Sequence, residues 1–153
     1  MMNTNLLSKG NPVMEGFALY AGILILKTLL MSFLTAIQRF RKKAFANPED
    51  ATLSEGGQVK TDDQDVERVR RAHQNDLENI IPFLITGFLF VLSDPDLVFA
   101  LMLFRIFTIA RILHTLVYAI YVVRQPARVL CFAVGIIVNI IMIVFIFINF
   151  HQF

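Results

Sequence analysis

The feature that most constrains this chain is a run of 22 residues without a charged side chain, from Val129 to Phe150. A helix rises 1.5 Å per residue, so a run of this length can cross the roughly 30 Å hydrocarbon core of a bilayer. Other apolar segments precede it, and 56% of the 153 residues are hydrophobic while 17% are charged. Globular proteins contain about 25% charged residues. The sequence therefore predicts an all-α integral membrane protein.

Four transmembrane helices are expected in a single membrane domain that covers residues 1–153. Their predicted bounds are about 13–39, 66–93, 97–123 and 127–150. The segment 40–65 is polar and is predicted to be a loop, with a turn at Asn47-Pro48. Pro82 lies inside the second helix and should kink it. The resulting fold class is a four-transmembrane-helix bundle.

The distribution of basic residues predicts the orientation. Loops on the cytosolic side of a membrane carry an excess of Lys and Arg. Lys9 and the acidic turn at 94–96 lie on one side of the predicted bundle. The opposite side carries ten basic residues: Arg39, Arg41, Lys42, Lys43, Lys60, Arg68, Arg70, Arg71, Arg124 and Arg128. The loop 40–65 is thus predicted to be cytosolic and both termini lumenal. The net charge of +2 gives no indication of a nucleic-acid partner.

Ionisable side chains inside the predicted spans need a partner or a wet cavity, because each costs a few kcal/mol in lipid. They are Lys27, Glu78, Arg105, Arg111 and His114. Two helical faces collect polar residues at helical spacing. The first face consists of Arg68, Arg71, Asn75 and Glu78. The second consists of Arg111, His114, Thr115 and Tyr118. Arg128, at the start of the fourth helix, lies on the same side of the membrane as Arg39 and Arg71.

Such a set of cations, one anion and neutral donors suits a small zwitterion with surplus negative charge. Arginine binds carboxylates through a two-pronged fork. Glu78 would receive an ammonium group, and Asn75 could bond a peptide amide. Outward-facing polar surfaces are costly in lipid, so a homo-oligomer with sites between subunits is expected. The alternatives are structural hydrogen bonds between helices and a minimal channel lined by the same residues.

Metal and nucleophilic chemistry find no support in the sequence. Cys131 is the single cysteine, which excludes an intrachain disulfide and a Cys-based zinc site. It is expected to be a small buried hydrophobe. The three His residues are scattered, and no Ser-His-Asp set is evident. No metal site is therefore predicted.

Two long motifs carry a resemblance to a known family. They are Arg41–Asp50 (RKKAFANPED) and Val66–Phe83 (VERVRRAHQNDLENIIPF), followed by Ala110–Thr115 (ARILHT) with Tyr118 and by Gln125–Arg128 (QPAR). They resemble the membrane-associated proteins in eicosanoid and glutathione metabolism. Within that family the sequence is most similar to the microsomal glutathione S-transferases, with the microsomal prostaglandin E synthases next. The resemblance implies a homotrimer of four-helix subunits that binds glutathione between neighbours, near the cytosolic face.

The resemblance also implies roles for individual residues. Arg128 matches the arginine that faces the glutathione thiol and is the expected catalytic residue. The expected glutathione-binding set is Arg39, Arg71, His73, Gln74, Asn75, Glu78, His114, Tyr118 and Arg128. The implied activity is conjugation of glutathione to hydrophobic electrophiles, with reduction of lipid hydroperoxides as a side activity. The implied location is the endoplasmic reticulum membrane, with the site facing the cytosol, and also the mitochondrial outer membrane.

Three positions depart from the family patterns. Gln74 and Val129 stand where the prostaglandin E synthases have an arginine and a serine, which argues against a synthase-type isomerase. Ala51 stands where the liver-type transferase has a cysteine, so activation through that thiol is not expected. A third alternative is a non-catalytic lipid-binding scaffold. Such a scaffold should have lost Arg128 or the set Arg71, Asn75 and Glu78, and this sequence retains them.

Overall fold

The computed structural model describes residues 6–151 and is mostly helical. Its elements, in chain order, are α1 (Pro12–Lys42), β1 (Ala44–Phe45), α2 (Pro48–Ala51), β2 (Gln58–Val59), α3 (Gln64–Leu92), α4 (Leu97–Thr115), a π-helical turn (Leu116–Ile120) and α5 (Ala127–Phe150). Helices α1, α3, α5 and α4 with its π-helical turn are long and apolar enough to cross a membrane. A mostly helical fold with four membrane-length helices, as predicted, is confirmed, with two short strands in addition.

The ends of two helices differ from the predicted bounds. Helix α1 continues past residue 39 and ends at Lys42; the capping residue, Lys43, has a φ of 52°, in the left-handed region. Helix α4 leaves regular geometry after Thr115, and the π-helical turn ends at Ile120 rather than at residue 123. Val122 has a φ of 46°, which turns the chain away from the helix axis. The hydropathy of the sequence does not predict this early end of the regular helix.

The segment 40–65 is more ordered than a solvated loop. Strands β1 and β2 pair in parallel, with Ala44 opposite Gln58. Lys42 forms an ion pair with Asp65 at 2.5 Å, which ties the end of α1 to the start of α3. Asp63 caps α3 by accepting the backbone N–H groups of Val66 and Asp65. These bonds, chiefly the one from Val66, hold the pKa of the Asp63 carboxyl below its usual value.

Aromatic packing forms the core of the bundle. The ring of Phe83 on α3 stacks on that of Phe107 on α4, with the centroids 4.0 Å apart. Phe104 packs edge-on against Phe83 and Phe90. Helices α1 and α3 approach closely at Gly87, where a Cβ would lie 2.6 Å from the ring of Phe17. This core lies in the half of the bundle away from the 40–65 segment, so the other half is free to carry polar groups.

The outer surface of the bundle is apolar, as lipid contact requires. Side chains such as Phe33 and Val98 are 66% and 74% exposed. Cys131 is half-exposed rather than buried, which corrects the expectation of a fully buried thiol. It faces a groove between α4 and α5 whose other walls include Ile109 and Val134. The described lining of that groove comes from α4 and α5 alone.

Candidate functional site

A cavity of about 430 Å³ opens at the end of the bundle that carries the 40–65 segment. It lies between the first turns of α3, the end of α4 with its π-helical turn, and the start of α5. Its lining residues are Arg71, Gln74, Asn75, Glu78, His114, Tyr118, Gln125, Arg128, Val129 and Phe132. The volume falls in the range of small-molecule sites, about 300–1,000 Å³. We call it the first cavity.

Arg128 is the most tightly positioned cation of the first cavity. Its Cζ lies 4.3 Å from the centroid of the Tyr118 ring, a cation–π arrangement. With the Gln125 side-chain amide assigned so that its oxygen faces the guanidinium, that oxygen accepts from Nη2 at 2.6 Å and from Nε at 3.2 Å. The His114 ring packs edge-on against Tyr118, with the centroids 5.5 Å apart. Arg128 is therefore held by its neighbours without neutralisation of its charge.

The charges of the first cavity are available to a ligand. Among residues 6–151, no ion pair is formed by Arg71, Arg128 or Glu78. Glu78 accepts a hydrogen bond from Gln74 Nε2 at 3.1 Å. Two guanidinium groups and one carboxylate thus line one open cavity. They can bind a molecule that has carboxylates and an ammonium group.

A second cavity of about 490 Å³ lies on the other side of α3, against α1. Its lining residues are Ser32, Thr35, Glu67, Arg70, Arg71, His73, Gln74 and Leu77. Arg71 and Gln74 line both cavities, whereas His73 lines the second one alone. Of the nine residues that were expected to form one binding site, seven line the first cavity. The other two are His73, which lines the second cavity, and Arg39.

Arg39 lines neither cavity. Its Nη1 donates to the backbone oxygen of Ala44 at 3.2 Å, which holds the start of the 40–65 segment against α1. Arg39 lies four residues after Thr35 and seven after Ser32, so the three share one face of α1. Within one subunit Arg39 therefore belongs to the side of the second cavity.

Behind the first cavity lies a buried ionic cluster centred on Asp76, which is fully buried. Its carboxylate accepts from Lys27 Nζ of α1 and from Arg111 Nη2 of α4, the latter at 2.7 Å. Thr115 donates to the same carboxylate at 3.4 Å. Asp76 thus connects three helices. Sequence analysis did not single it out, although an acid in the membrane-embedded part of α3 was a usable signal.

In the structure, the residues of each predicted polar face do not all have the same surroundings. On α4, Arg111 and Thr115 point into the interior toward Asp76, whereas His114 and Tyr118 line the first cavity. On α3, Arg68 pairs with Asp65 at 2.7 Å and lines neither cavity. Tyr118 lies in the π-helical turn, which has more residues per turn than an α-helix. The α-helical spacing that predicted a common face for Arg111 and Tyr118 therefore does not apply there.

Arg105, the remaining intramembrane cation of the sequence analysis, has a partner of its own. Arg105 Nε donates to the hydroxyl of Tyr20 at 3.1 Å, which gives this intramembrane cation a partner on α1. Within the described part of the chain, no three His, Cys, Asp or Glu side chains are grouped so that they could hold a metal ion.

Comparison with known proteins reveals similarity over most of the chain. The model of the MAPEG family matches residues 17–148. Microsomal glutathione S-transferase 1 of Mus musculus is 52% identical over 130 residues, which cover 82% of this chain and 83% of the mouse protein. The protein of the same name from Homo sapiens is 51% identical over 128 residues, 80% of this chain and 81% of that protein. Prostaglandin E synthase of Macaca fascicularis is 40% identical over 127 residues, 83% of each chain.

Proposed function

Because this chain belongs to the MAPEG family, we propose that it is a membrane-bound glutathione S-transferase with glutathione as co-substrate. The observation that carries the proposal is that Arg71, Arg128 and Glu78 line one cavity and form no ion pair among residues 6–151. Arg71 offers a guanidinium to a carboxylate of glutathione, and Glu78 accepts its ammonium group. Asn75, His114 and Tyr118 add neutral hydrogen-bonding groups. The roughly 50% identity to transferases named for this activity supports the same assignment.

Arg128 stabilises the glutathione thiolate in this proposal. A thiol of pKa about 8.5 ionises more readily beside a cation. Arg128 supplies that cation without taking up a proton, and its stacking on Tyr118 keeps it in place. The thiolate attacks a carbon that bears a leaving group, forming the C–S bond as the leaving group departs with its electron pair. Val129 and Phe132 provide an apolar wall for a hydrophobic electrophile.

The same thiolate can reduce a lipid hydroperoxide. The sulfur attacks the terminal oxygen of the hydroperoxide, the O–O bond breaks, and the alkoxide takes up a proton to become an alcohol. The sulfenic acid of glutathione that results condenses with a second glutathione, giving the disulfide and water. This side activity requires no group beyond those that line the first cavity and a second molecule of the co-substrate.

An isomerase of the prostaglandin E synthase type is the second candidate. It is supported by relatives of that name at 40–43% identity. Gln74 and Val129 line the first cavity at the two positions that depart from the synthase pattern. The transferase assignment is therefore preferred. A scaffold without catalysis is disfavoured because Arg128 and the set Arg71, Asn75 and Glu78 are all present.

The functional unit in this proposal is a homotrimer in the endoplasmic reticulum membrane, with its three sites near the cytosolic face; the mitochondrial outer membrane is a second location. Two cavities on opposite sides of α3 support sites between subunits, because a neighbour's second cavity could cover the first. Arg39 and His73 would then complete the site in trans. Co-expression of Arg39→Ala and Arg128→Ala subunits tests this: a mixed trimer regains one intact site only if the two residues come from different subunits.

The transferase activity is tested with the purified protein and a chlorinated dinitrobenzene. Formation of the thioether and release of chloride should depend on both protein and glutathione. Cysteine at the same concentration serves as a control, because it has a thiol but lacks the peptide groups that the cavity is proposed to bind. Conjugation at equal rates with both thiols, or at the rate without protein, would contradict the proposal.

A further inference from the structure

Arg111 is completely buried, yet its hydrogen bonds reach the wall of the first cavity. Its Nη2 donates to Asp76 Oδ1 at 2.7 Å and to Asn75 Oδ1 at 2.8 Å. The same atom lies 3.4 Å from His114 Nδ1. Asn75 and His114 both line the cavity. One buried nitrogen therefore contacts two proposed ligand-binding side chains from behind.

These contacts determine which hydrogen-bonding groups face the ligand. A guanidinium only donates. Because Arg111 donates to the Asn75 carbonyl oxygen, the Asn75 amide nitrogen is left for the cavity. Both Nη2 hydrogens go to the oxygens of Asp76 and Asn75, and a guanidinium has no acceptor. A hydrogen on His114 Nδ1 would therefore face a positively charged nitrogen that cannot accept it, which favours a neutral ring with Nδ1 unprotonated. The remaining ring nitrogen, Nε2, then carries the hydrogen.

The unused donors of Arg111 indicate that this orientation matters more than the stability of the ion pair. Arg111 Nε and Nη1 are buried and have no hydrogen-bond partner among the described residues. A guanidinium placed for maximum stability would use its fork on the carboxylate.

We propose that Arg111, anchored by Asp76, is a positioning residue that sets the wall of the first cavity to donate hydrogen bonds. Asn75 then presents its amide N–H₂ and His114 its Nε2–H, which selects carboxylate and carbonyl oxygens of the ligand. This inference rests on the proposed binding of glutathione for its functional consequence. Its structural content, the orientation of the two side chains, does not require any ligand.

The first test uses the unmodified protein. Nitrogen-15 NMR of the histidine-labelled protein in lipid distinguishes the two ring tautomers. His114 should be protonated at Nε2, with Nδ1 unprotonated. Its signal is identified by comparison with His73→Gln and His151→Gln proteins. Protonation of His114 at Nδ1 in the parent protein would overturn the proposal, whatever the outcome for catalysis.

The second test compares Arg111→Met with Lys27→Met. Each variant removes one of the two cations of Asp76 and leaves the other, so both change the buried charge equally. Arg111→Met should weaken glutathione binding about tenfold, the effect of roughly one hydrogen bond. Its rate at saturating glutathione should stay near that of the parent. Lys27→Met should bind glutathione like the parent, because the contacts of Arg111 remain.

The specificity of binding is measured with two glutathione analogues, in each of which one carboxylate is converted to a carboxamide. The parent should discriminate against at least one analogue, and Arg111→Met should lose part of that discrimination because the Asn75 amide can then rotate.

Equal losses of affinity in Arg111→Met and Lys27→Met would assign the effect to charge balance and reject the proposal. A parent that binds no glutathione would refute the proposed function, while the tautomer measurement still decides the orientation.

Discussion

Replacement of Arg128 by alanine is the most direct perturbation of the proposed chemistry. A guanidinium about 4 Å from a thiolate contributes about 4 kcal/mol at an effective dielectric constant of about 20. Arg128 is half-exposed, so solvent screening should reduce this to about 2–3 kcal/mol. That energy corresponds to about two pKa units. The thiol pKa of bound glutathione should therefore rise by about two units in Arg128→Ala.

The expected loss of rate follows from this change. With a thiol pKa lowered from about 8.5 to about 6.5, the thiolate fraction at pH 7 increases about 25-fold. In the proposed mechanism Arg128 also orients the sulfur, because its guanidinium lies against the Tyr118 ring. Removal of an oxyanion-stabilising donor lowers rates by about 10²–10³. The rate constant for conjugation near neutral pH should fall by that factor in Arg128→Ala, and binding should suffer less because Arg71 and Glu78 remain.

Thiolate absorbance of bound glutathione in the far ultraviolet, measured against pH, is the deciding assay. Arg124→Ala is the matched control, since Arg124 lies in the same turn but does not line the first cavity. An unchanged thiol pKa in Arg128→Ala would remove this residue from the chemistry. Tyr118 would then be the next candidate, because its hydroxyl could donate to the sulfur, and Tyr118→Phe would test it.

Four further predictions follow from the same structure and sequence. Glu78→Gln should weaken glutathione affinity through loss of the ammonium partner while the saturated rate changes little, and a reduced saturated rate at unchanged affinity would contradict that role. In sealed right-side-out microsomes, protease should cut the 40–65 segment and leave the termini intact; digestion of the termini would reverse the proposed orientation. Native mass spectrometry in mild detergent should detect a trimer, and isolated monomers should not bind glutathione, whereas a monomer that binds it would exclude sites between subunits. A water-soluble maleimide should not raise transferase activity, because Ala51 leaves the 40–65 segment without a thiol and Cys131 lies in an apolar groove; activation of several fold would show that Cys131 is accessible and regulatory.

The candidate site was partly accessible from the sequence because some of its geometry is local. Arg71, Asn75 and Glu78 follow one face of one helix, and helical periodicity alone brings such residues together. The structure places all three in the first cavity. The presence of Arg128 in the same cavity could also be expected, because it begins the fourth predicted helix on the same side of the membrane as Arg71.

Other features depend on how the helices cross, which no local pattern specifies. Spacing placed Arg111 and Tyr118 on one face, but the approach of α3 turns Arg111 toward Asp76, and the π-helical turn leaves Tyr118 in the cavity. Asp76 could not be paired with Lys27, because the two are separated by 49 positions along the chain. Arg39 is held by a backbone oxygen of the 40–65 segment.

The sequence by itself determined the class of protein and its four membrane-length helices, because the length and apolar character of a span are properties of contiguous residues. Only the tertiary structure decided which polar side chains face the cavity and which neutralise one another inside the bundle. The physical reason is that a charge in a low-dielectric interior takes the partner that helix packing brings within hydrogen-bond distance. For Arg111 that partner is Asp76 of the neighbouring helix, and the same nitrogen also donates to Asn75.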